Sequence, residues 1–248
     1  MVIEVHILAS DEEAILPFTL RHYETFASRI VLHDLGSTDR TVEIASAAGA
    51  EIRPSPTHEF DDRLNQRIKN TAWNGTDADW VIMADADELI YFPMGWAPTL
   101  DAYGRAGEHV LKPYGYEMES PTFPEGGGQI YDYVKFGGRD DKWYAKPILF
   151  SPKRVKSLIF GTGAHEVSGV LQNGRAFKNP TVFSSPPCYL LHCHHLGSIE
   201  RIAALYDANR SRHSAANKQN KWGLQCDGTT HAKEKRAAIM AKRERVIA

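Results

Sequence analysis

Asp85, Asp87 and Glu88 put three acids within four positions, directly after the apolar run Trp80–Ala84 in the stretch WVIMADADELI. A short apolar run of this kind forms a buried strand. Carboxylates rarely crowd at the end of a core strand unless something neutralises them, because neighbouring like charges raise each other's pKa. Asp85 and Asp87, at i and i+2 on an extended segment, are expected to face one side. A second cluster stands in YLLHCHHLGS. On a strand over Tyr189–Cys193, His192 and His194 share one face, where imidazole suits a metal shell completed by Asp87, and His195 points away. Cys193 has the opposite parity and no second cysteine is near, which disfavours zinc. In GTGAHEVSG, His165 and Glu166 are each suited to general-base work. On a strand they face opposite sides, so at most one enters a site.

The elements that must position these residues alternate regularly over the first ninety residues. Strands are expected at Val2–Ala9, Arg29–Leu35, Ala50–Arg53 and Trp80–Ala84, and helices at Glu12–Ala27, Thr41–Ala48 and Asp62–Trp73. Alternation of this kind makes a mostly parallel sheet flanked by helices, with ligands bound beyond the carboxyl ends of the strands. The chemically suggestive segments fall there: SDEEAIL after the first strand, HDLGSTDRT after the second and DADE after the fourth. Gly36 permits a tight turn, and Ser37, Thr38 and Asp39 are all able to cap the next helix. Asp34 caps nothing obvious. It is an acceptor for a uracil-like imide or a ribose hydroxyl, with an Asx-turn as the structural alternative.

LHDLGSTDRTVEIA resembles the D-x-G-S-T-D-x-T segment of family-2 glycosyltransferases, and DWVIMADADE resembles their D-x-D motif with its preceding strand. Lys69-Asn70 stands where that family usually carries Arg-Asn, and the likeness covers about residues 2–90. The extra Glu88 and the later histidine-bearing strand resemble a small bacterial branch with a D-x-D-E motif. The resemblance implies a GT-A, Rossmann-like fold and a nucleotide-sugar donor, with a uridine diphosphate sugar as first choice. It implies that Asp87 holds Mn²⁺ or Mg²⁺ and that Asp85 reaches the ribose or the metal through water. Ser10, Glu12, Asp34 and Lys69 join Asp85 as expected nucleotide contacts. The family's usual base is an acid in the later region, but its acid-Asp pair is absent here. In such a transfer the leaving diphosphate needs a divalent cation or basic residues, and hard carboxylate oxygens suit those metals.

Residues 91–217 are read as the irregular acceptor half of one domain spanning 1–217, with a helical tail over 218–248. Lys146–Phe150 and Val155–Phe160 look like a hairpin turned by Ser151 and Pro152, and Ser198 caps a helix running to about Ala216. Tyr131, Tyr133, Trp143 and Tyr144 lie in a long turn-rich segment, the kind that usually forms binding loops. They are candidates for an acceptor platform.

Composition narrows the class. The 248 residues carry 29 basic and 31 acidic side chains, so no global basic field favours nucleic acid. Cys188, Cys193 and Cys226 form no CxxC pair, no stretch reaches the roughly 20 apolar residues of a membrane span, and no signal pattern opens the chain. A cytoplasmic enzyme is expected, with peripheral membrane contact conceivable through the basic tail and a glycan or lipid-linked acceptor as partner. A haloacid-dehalogenase phosphatase fits less well, because Leu89 stands where Thr or Val is usual and the motif follows the fourth strand. A sugar nucleotidyltransferase would open with a glycine-rich basic loop, where this chain has ASDEEAIL. A non-catalytic sugar- or nucleotide-binding module is the alternative from another class.

Overall fold

The computed structural model describes residues 1–55, 57, 59–180, 183–222 and 228–247. Cys226 lies outside them; Cys188 and Cys193 are buried free thiols. The first half alternates as β1 (Ile3–Ala9), α1 (Leu16–Glu24), β2 (Arg29–Asp34), α2 (Thr41–Ala47), β3 (Glu51–Pro54), α3 (Asp62–Thr71) and β4 (Trp80–Asp85). Next come β5 (Glu88–Tyr91), α4 (Trp96–Ala106), β6 (Tyr114–Met118), α5 (Ile130–Tyr133), β7 (Phe136–Arg139) and β8 (Leu149–Phe150). The chain continues through β9 (Val155–Phe160), β10 (Val167–Leu171), β11 (Ala176–Lys178), β12 (Tyr189–His192), α6 (Ile199–Ser211), α7 (Ala215–Asn220), α8 (Gly228–Met240) and β13 (Arg243–Arg245).

The fold is the expected α/β class. The first sheet has the order β3-β2-β1-β4-β8, its first four strands parallel and β8 antiparallel to β4. That is the order 3-2-1-4 of a Rossmann-like half. β1 is buried along all of its length because it has a strand on either side. Its two polar residues are therefore paired: His6 Nε2 lies 2.6 Å from Glu4, and His6 Nδ1 lies 2.9 Å from His33 Nε2 of β2. A second sheet, β13-β7-β6-β12-β5, and a smaller antiparallel sheet, β11-β10-β9, complete the molecule.

Several expected elements differ. α1 starts at Leu16 rather than Glu12, because the preceding residues form a turn and Pro17 sets the first helical turn. Lys146–Phe150 and Val155–Phe160 are not a hairpin: β8 pairs with β4, and β9 with β10. The helix beyond Ser198 ends at Ser211, where Arg212 turns back to Ser10 and Asp11, and Ser214 caps a new helix by accepting the Asn217 N–H at 3.2 Å. Within residues 218–248, α8 packs on α6 and β13 pairs with β7 at the edge of the second sheet. Among the described residues no helix is long and apolar enough to cross a membrane.

Candidate active site

The DADE segment is the crossing between the two sheets: β4 ends at Asp85 in the first, Ala86 and Asp87 turn, and β5 begins at Glu88 in the second. The extended geometry expected for Asp85 and Asp87 is thus replaced by a turn, and the acids take different partners. Asp85 receives Lys69 Nζ at 2.7 Å, with Lys146 Nζ at 3.8 Å. Glu88, fully buried, pairs with Lys146 Nζ at 2.5 Å and accepts the Asp85 backbone N–H at 2.9 Å. Burial works to raise the Glu88 pKa, but Lys146 and Lys69 overcome it and hold the carboxyl below its usual range. Lys146 is pulled down by burial and pushed up by Glu88 and Asp85, with a net rise.

Asp87 faces the histidines. Its Oδ2 lies 3.2 Å from His194 Nδ1 and 3.6 Å from His192 Nε2, and its carbonyl accepts the Cys193 N–H at 2.8 Å. Burial opposes ionisation of Asp87, yet His192 and then His194 hold it well below the usual carboxylate range. His192 Nδ1 lies 2.6 Å from Oε2 of Glu117, which is fully buried on β6. Burial lowers the His192 pKa; Glu117 and Asp87 more than reverse this and lift it to about 9. His195 turns away as expected, its Nε2 2.7 Å from the Tyr206 hydroxyl.

Ser10, Glu12, Lys69, Asp85, Asp87, His192 and His194 line one cleft at the carboxyl ends of β1 and β4, together with Arg212 and Asn209 of the segment ending α6. The loops after β1 and β2 are laced together. Asp11 Oδ1 accepts the Thr38 N–H at 2.6 Å, Thr41 Oγ1 accepts the Glu12 N–H at 2.7 Å, and Asp39 accepts the N–H groups of Glu13 and Thr41 at 3.0 and 2.9 Å. Glu12 directs its carboxyl into the cleft, where burial and then Asp87 push its pKa well above the usual range against the pull of Arg201. Asp34 stands outside the cleft lining and accepts the Ser37 N–H at 2.9 Å, the Asx-turn geometry. Asn70 of the Lys-Asn pair accepts the Phe160 N–H at 2.8 Å and ties α3 to β9.

His165 and Glu166 do not lie on a strand. They follow a 3-10 turn, Thr162–Ala164, in which Gly163 has φ 65°. A Cβ on Gly163 would sit 2.9 Å from the His165 ring, so glycine alone permits the ring to lie behind the cleft wall that Gly163 forms. Burial lowers the His165 pKa to about 4, and its buried Nδ1 has no partner among the described residues. Glu166 is exposed and outside the cleft lining. The four aromatics form no single platform. Tyr131 packs on Tyr91 and Tyr133 on Phe18, whereas Trp143 stacks edge-on against His165 and Tyr144 lies 5.0 Å from His192.

The sequence reading missed Glu117, Lys146 and Arg212. An acid inside the strand YGYEM and a lysine inside YAKPILF were the available signals, since charged residues at core positions come paired. Arg212 Nη1 donates to Ser10 Oγ at 2.5 Å and Asp11 Oδ2 at 2.8 Å, and its buried Nε has no partner among the described residues.

Among the described residues no group of three or more His, Cys, Asp or Glu is arranged to hold a metal ion alone. The expected shell of Asp87, His192 and His194 is thus not preformed. His192 commits Nδ1 to Glu117, and His194 Nε2 is buried without a partner among the described residues. The donor set still fits: one carboxylate oxygen and an imidazole nitrogen 3.6 Å apart are closer than about 4.2 Å, twice a metal–oxygen bond. A carboxylate with phosphate oxygens in other positions suits Mn²⁺ or Mg²⁺, and the added imidazole favours Mn²⁺ over the strictly oxygen-seeking Mg²⁺.

No family model matches the chain, and no curated protein matches it. It is similar to solved structures of glucosyl-3-phosphoglycerate synthase from Mycobacterium tuberculosis. The complex with Mn²⁺, uridine diphosphate and glucosyl-3-phosphoglycerate is 21% identical at a TM-score of 0.35, over 48% of this chain and 44% of that one. The complex with Mg²⁺ and uridine diphosphate is 21% identical at 0.35, over 54% and 47%. A third, with uridine diphosphate alone, is 24% identical at 0.34, over 46% and 44%. The chain spans less than half the length of these proteins.

Proposed function

We propose that the protein is a nucleotide-sugar-dependent glycosyltransferase of GT-A type, metal-dependent and inverting, that moves a sugar to a hydroxyl acceptor. One observation carries this reading: the cleft beyond β1 and β4 sets Asp87, His192 and His194 beside the cations Lys69 and Arg212. A divalent ion with a diphosphate matches that mixture of charges. Asp87 and His192 would hold Mn²⁺ or Mg²⁺, which when bound offsets charge developing on the leaving diphosphate. Arg212 and Lys69 line the same space, and Glu12 lines it with them, its pKa pushed up by burial and then by Asp87.

In an inverting transfer the acceptor oxygen bonds to the anomeric carbon as the carbon–phosphate-oxygen bond breaks; a base takes the acceptor proton and the nucleoside diphosphate leaves. Neither candidate base lines the cleft itself; His165, packed behind Gly163 of the cleft wall, is the first to test, and Glu166 is exposed. A uridine diphosphate sugar is the first donor to test. Glycan or lipid-linked acceptors of surface polysaccharide or glycolipid assembly, met in the cytoplasm, are the first acceptors. The acidic, glycine-free loop Ser10–Glu13 speaks against a nucleotidyltransferase.

Thermal shift with uridine diphosphate, in Mn²⁺ or in chelator, tests the site; a ligand at 100 times its Kd stabilises by about 2.7 kcal/mol. Stabilisation is expected to be much larger with metal than in chelator. Equal shifts in chelator, or none with any nucleoside diphosphate, would refute the proposal. Hydrolysis of a uridine diphosphate sugar by the purified protein separates a transferase from a binding module.

A further inference from the structure

Glu117 is fully buried, far from the D-x-D-E segment in sequence, and bound to two histidines at once. Its Oε2 takes His192 Nδ1 at 2.6 Å. Its Oε1 accepts the His195 backbone N–H at 3.2 Å and lies 3.0 Å from His195 Nδ1, off the line of a good hydrogen bond. Sheet register sets this up. In the second sheet His192 on β12 stands directly opposite Glu117 on β6 and Glu88 on β5, so three ionisable residues run side by side across adjacent strands. Glu88 is taken by Lys146, which leaves Glu117 as the carboxylate for His192.

The far side of the assembly is also fixed. Tyr206 of α6 meets His195 Nε2 at 2.7 Å, and Arg236 of α8 donates to the carbonyls of Ser120, His195 and Gly197. α6 and α8 thus brace the loop that carries His194 and His195. A carboxylate on one imidazole nitrogen fixes the ring and frees the other nitrogen as a ligand, and such outer partners tune metal affinity.

We propose that Glu117 is a positioning residue: it anchors His192 through Nδ1 so that Nε2 faces Asp87 and, its proton released to solvent on binding, ligates a divalent cation held with a nucleoside diphosphate. The proposal rests on the metal-dependent reading of the cleft. It assigns Glu117 no contact with donor or acceptor.

The experiment measures uridine diphosphate affinity by calorimetry, with Mn²⁺ and with chelator, in the full chain, in Glu117→Gln, in His192→Ala and in the double variant. Glu117→Gln is expected to cut the Mn²⁺ enhancement about 10- to 100-fold, the range for outer-sphere partners, and to leave affinity in chelator within about twofold. In the His192→Ala background, Glu117→Gln is expected to add nothing, since the two act as one unit. Loss of affinity in chelator as well as in Mn²⁺, or additive losses in the double variant, would make Glu117 a merely structural group and overturn the proposal. If His192→Ala loses the enhancement while Glu117→Gln keeps it, the inference about Glu117 fails and the metal reading stands. If the parent shows no Mn²⁺ enhancement, both fail. Should Glu117→Gln not fold, a crystal structure of the parent with uridine diphosphate and Mn²⁺ decides. His192 Nδ1 still on Glu117 with Nε2 on the ion supports the proposal, and a ring rotated off Glu117 overturns it.

Discussion

Two histidine clusters share the same chemistry and differ in what lies beside them. In the first sheet, Glu4, His6 and His33 form a chain across β1 and β2, and Arg29 and Thr76 satisfy the remaining oxygen of Glu4 at 3.0 Å each. In the second, Glu117 joins His192 and His195, but His192 and its neighbour His194 open onto a cleft and onto Asp87. The first cluster is closed on itself. Burial drives His33 down to about 3, and His6 leads the causes that lower Glu4 to about 2. The second retains a raised imidazole and a lowered Asp87 facing open space. A carboxylate–histidine pair is therefore a sign of packing or of a site, and the neighbouring cleft decides which.

The largest expected effect separates the two clusters through their acids. Asp87→Asn should reduce turnover and metal-dependent nucleotide binding by about 10²–10³-fold, the scale of losing one charge-stabilising group, while Glu4→Gln should leave both unchanged. Calorimetry with and without chelator reads this; full metal dependence in Asp87→Asn would erase the distinction. His6→Ala should cost about 2–3 kcal/mol of stability by stranding Glu4 and His33, with nucleotide affinity intact in urea titrations followed by binding of the refolded protein.

The first cluster also sets a pH response. His33 and Glu4 both have folded pKa values below their unfolded ones, so in acid the unfolded chain binds more protons. Stability should be retained near neutrality and fall as pH drops from about 6.5 toward 3, with the Glu4 share lost below about 4.5. Denaturation midpoints at several pH values in chelator would show it, and His33→Gln should flatten the upper part of that decline. A curve as steep in the variant as in the parent would remove His33 from the account. The smallest effect belongs to Glu166→Gln. An exposed side chain outside the cleft should alter stability by less than about 0.5 kcal/mol and leave the initial transfer rate at its parental level, whereas His165→Ala should lower turnover. The reverse ranking in a donor-hydrolysis assay would make Glu166 the base.

Much of the first half was legible because its signals are local. β1 and β4 were read from apolar runs, and the position of the acids after β4 followed from one strand and its end. Asp34 shows where a local signal is shared by two roles: an acceptor at a strand end suits a ligand, and its own turn supplies the Ser37 N–H to Oδ1. The supposed hairpin misled for a different reason. Two adjacent strand-like runs attract a local pairing, but β8 found an open edge at β4 and β9 paired onward with β10.

Composition, alternation and the spacing of acids and histidines are properties of the chain itself, and they determined the α/β class, the parallel strands and the segments that bear the cleft. The partners of those residues were settled only by tertiary structure. Asp85 meets Lys69 and Lys146, Glu88 takes Lys146, Asp87 faces His192 and His194, and Glu117 anchors His192. Each pair depends on which strand lies beside which and in what register, and Glu117 and His192 are 75 positions apart. A one-residue slip of β12 against β6 would send His192 to the opposite face. Side-chain period is written in the sequence, but register between distant strands is fixed by the packing of the whole sheet.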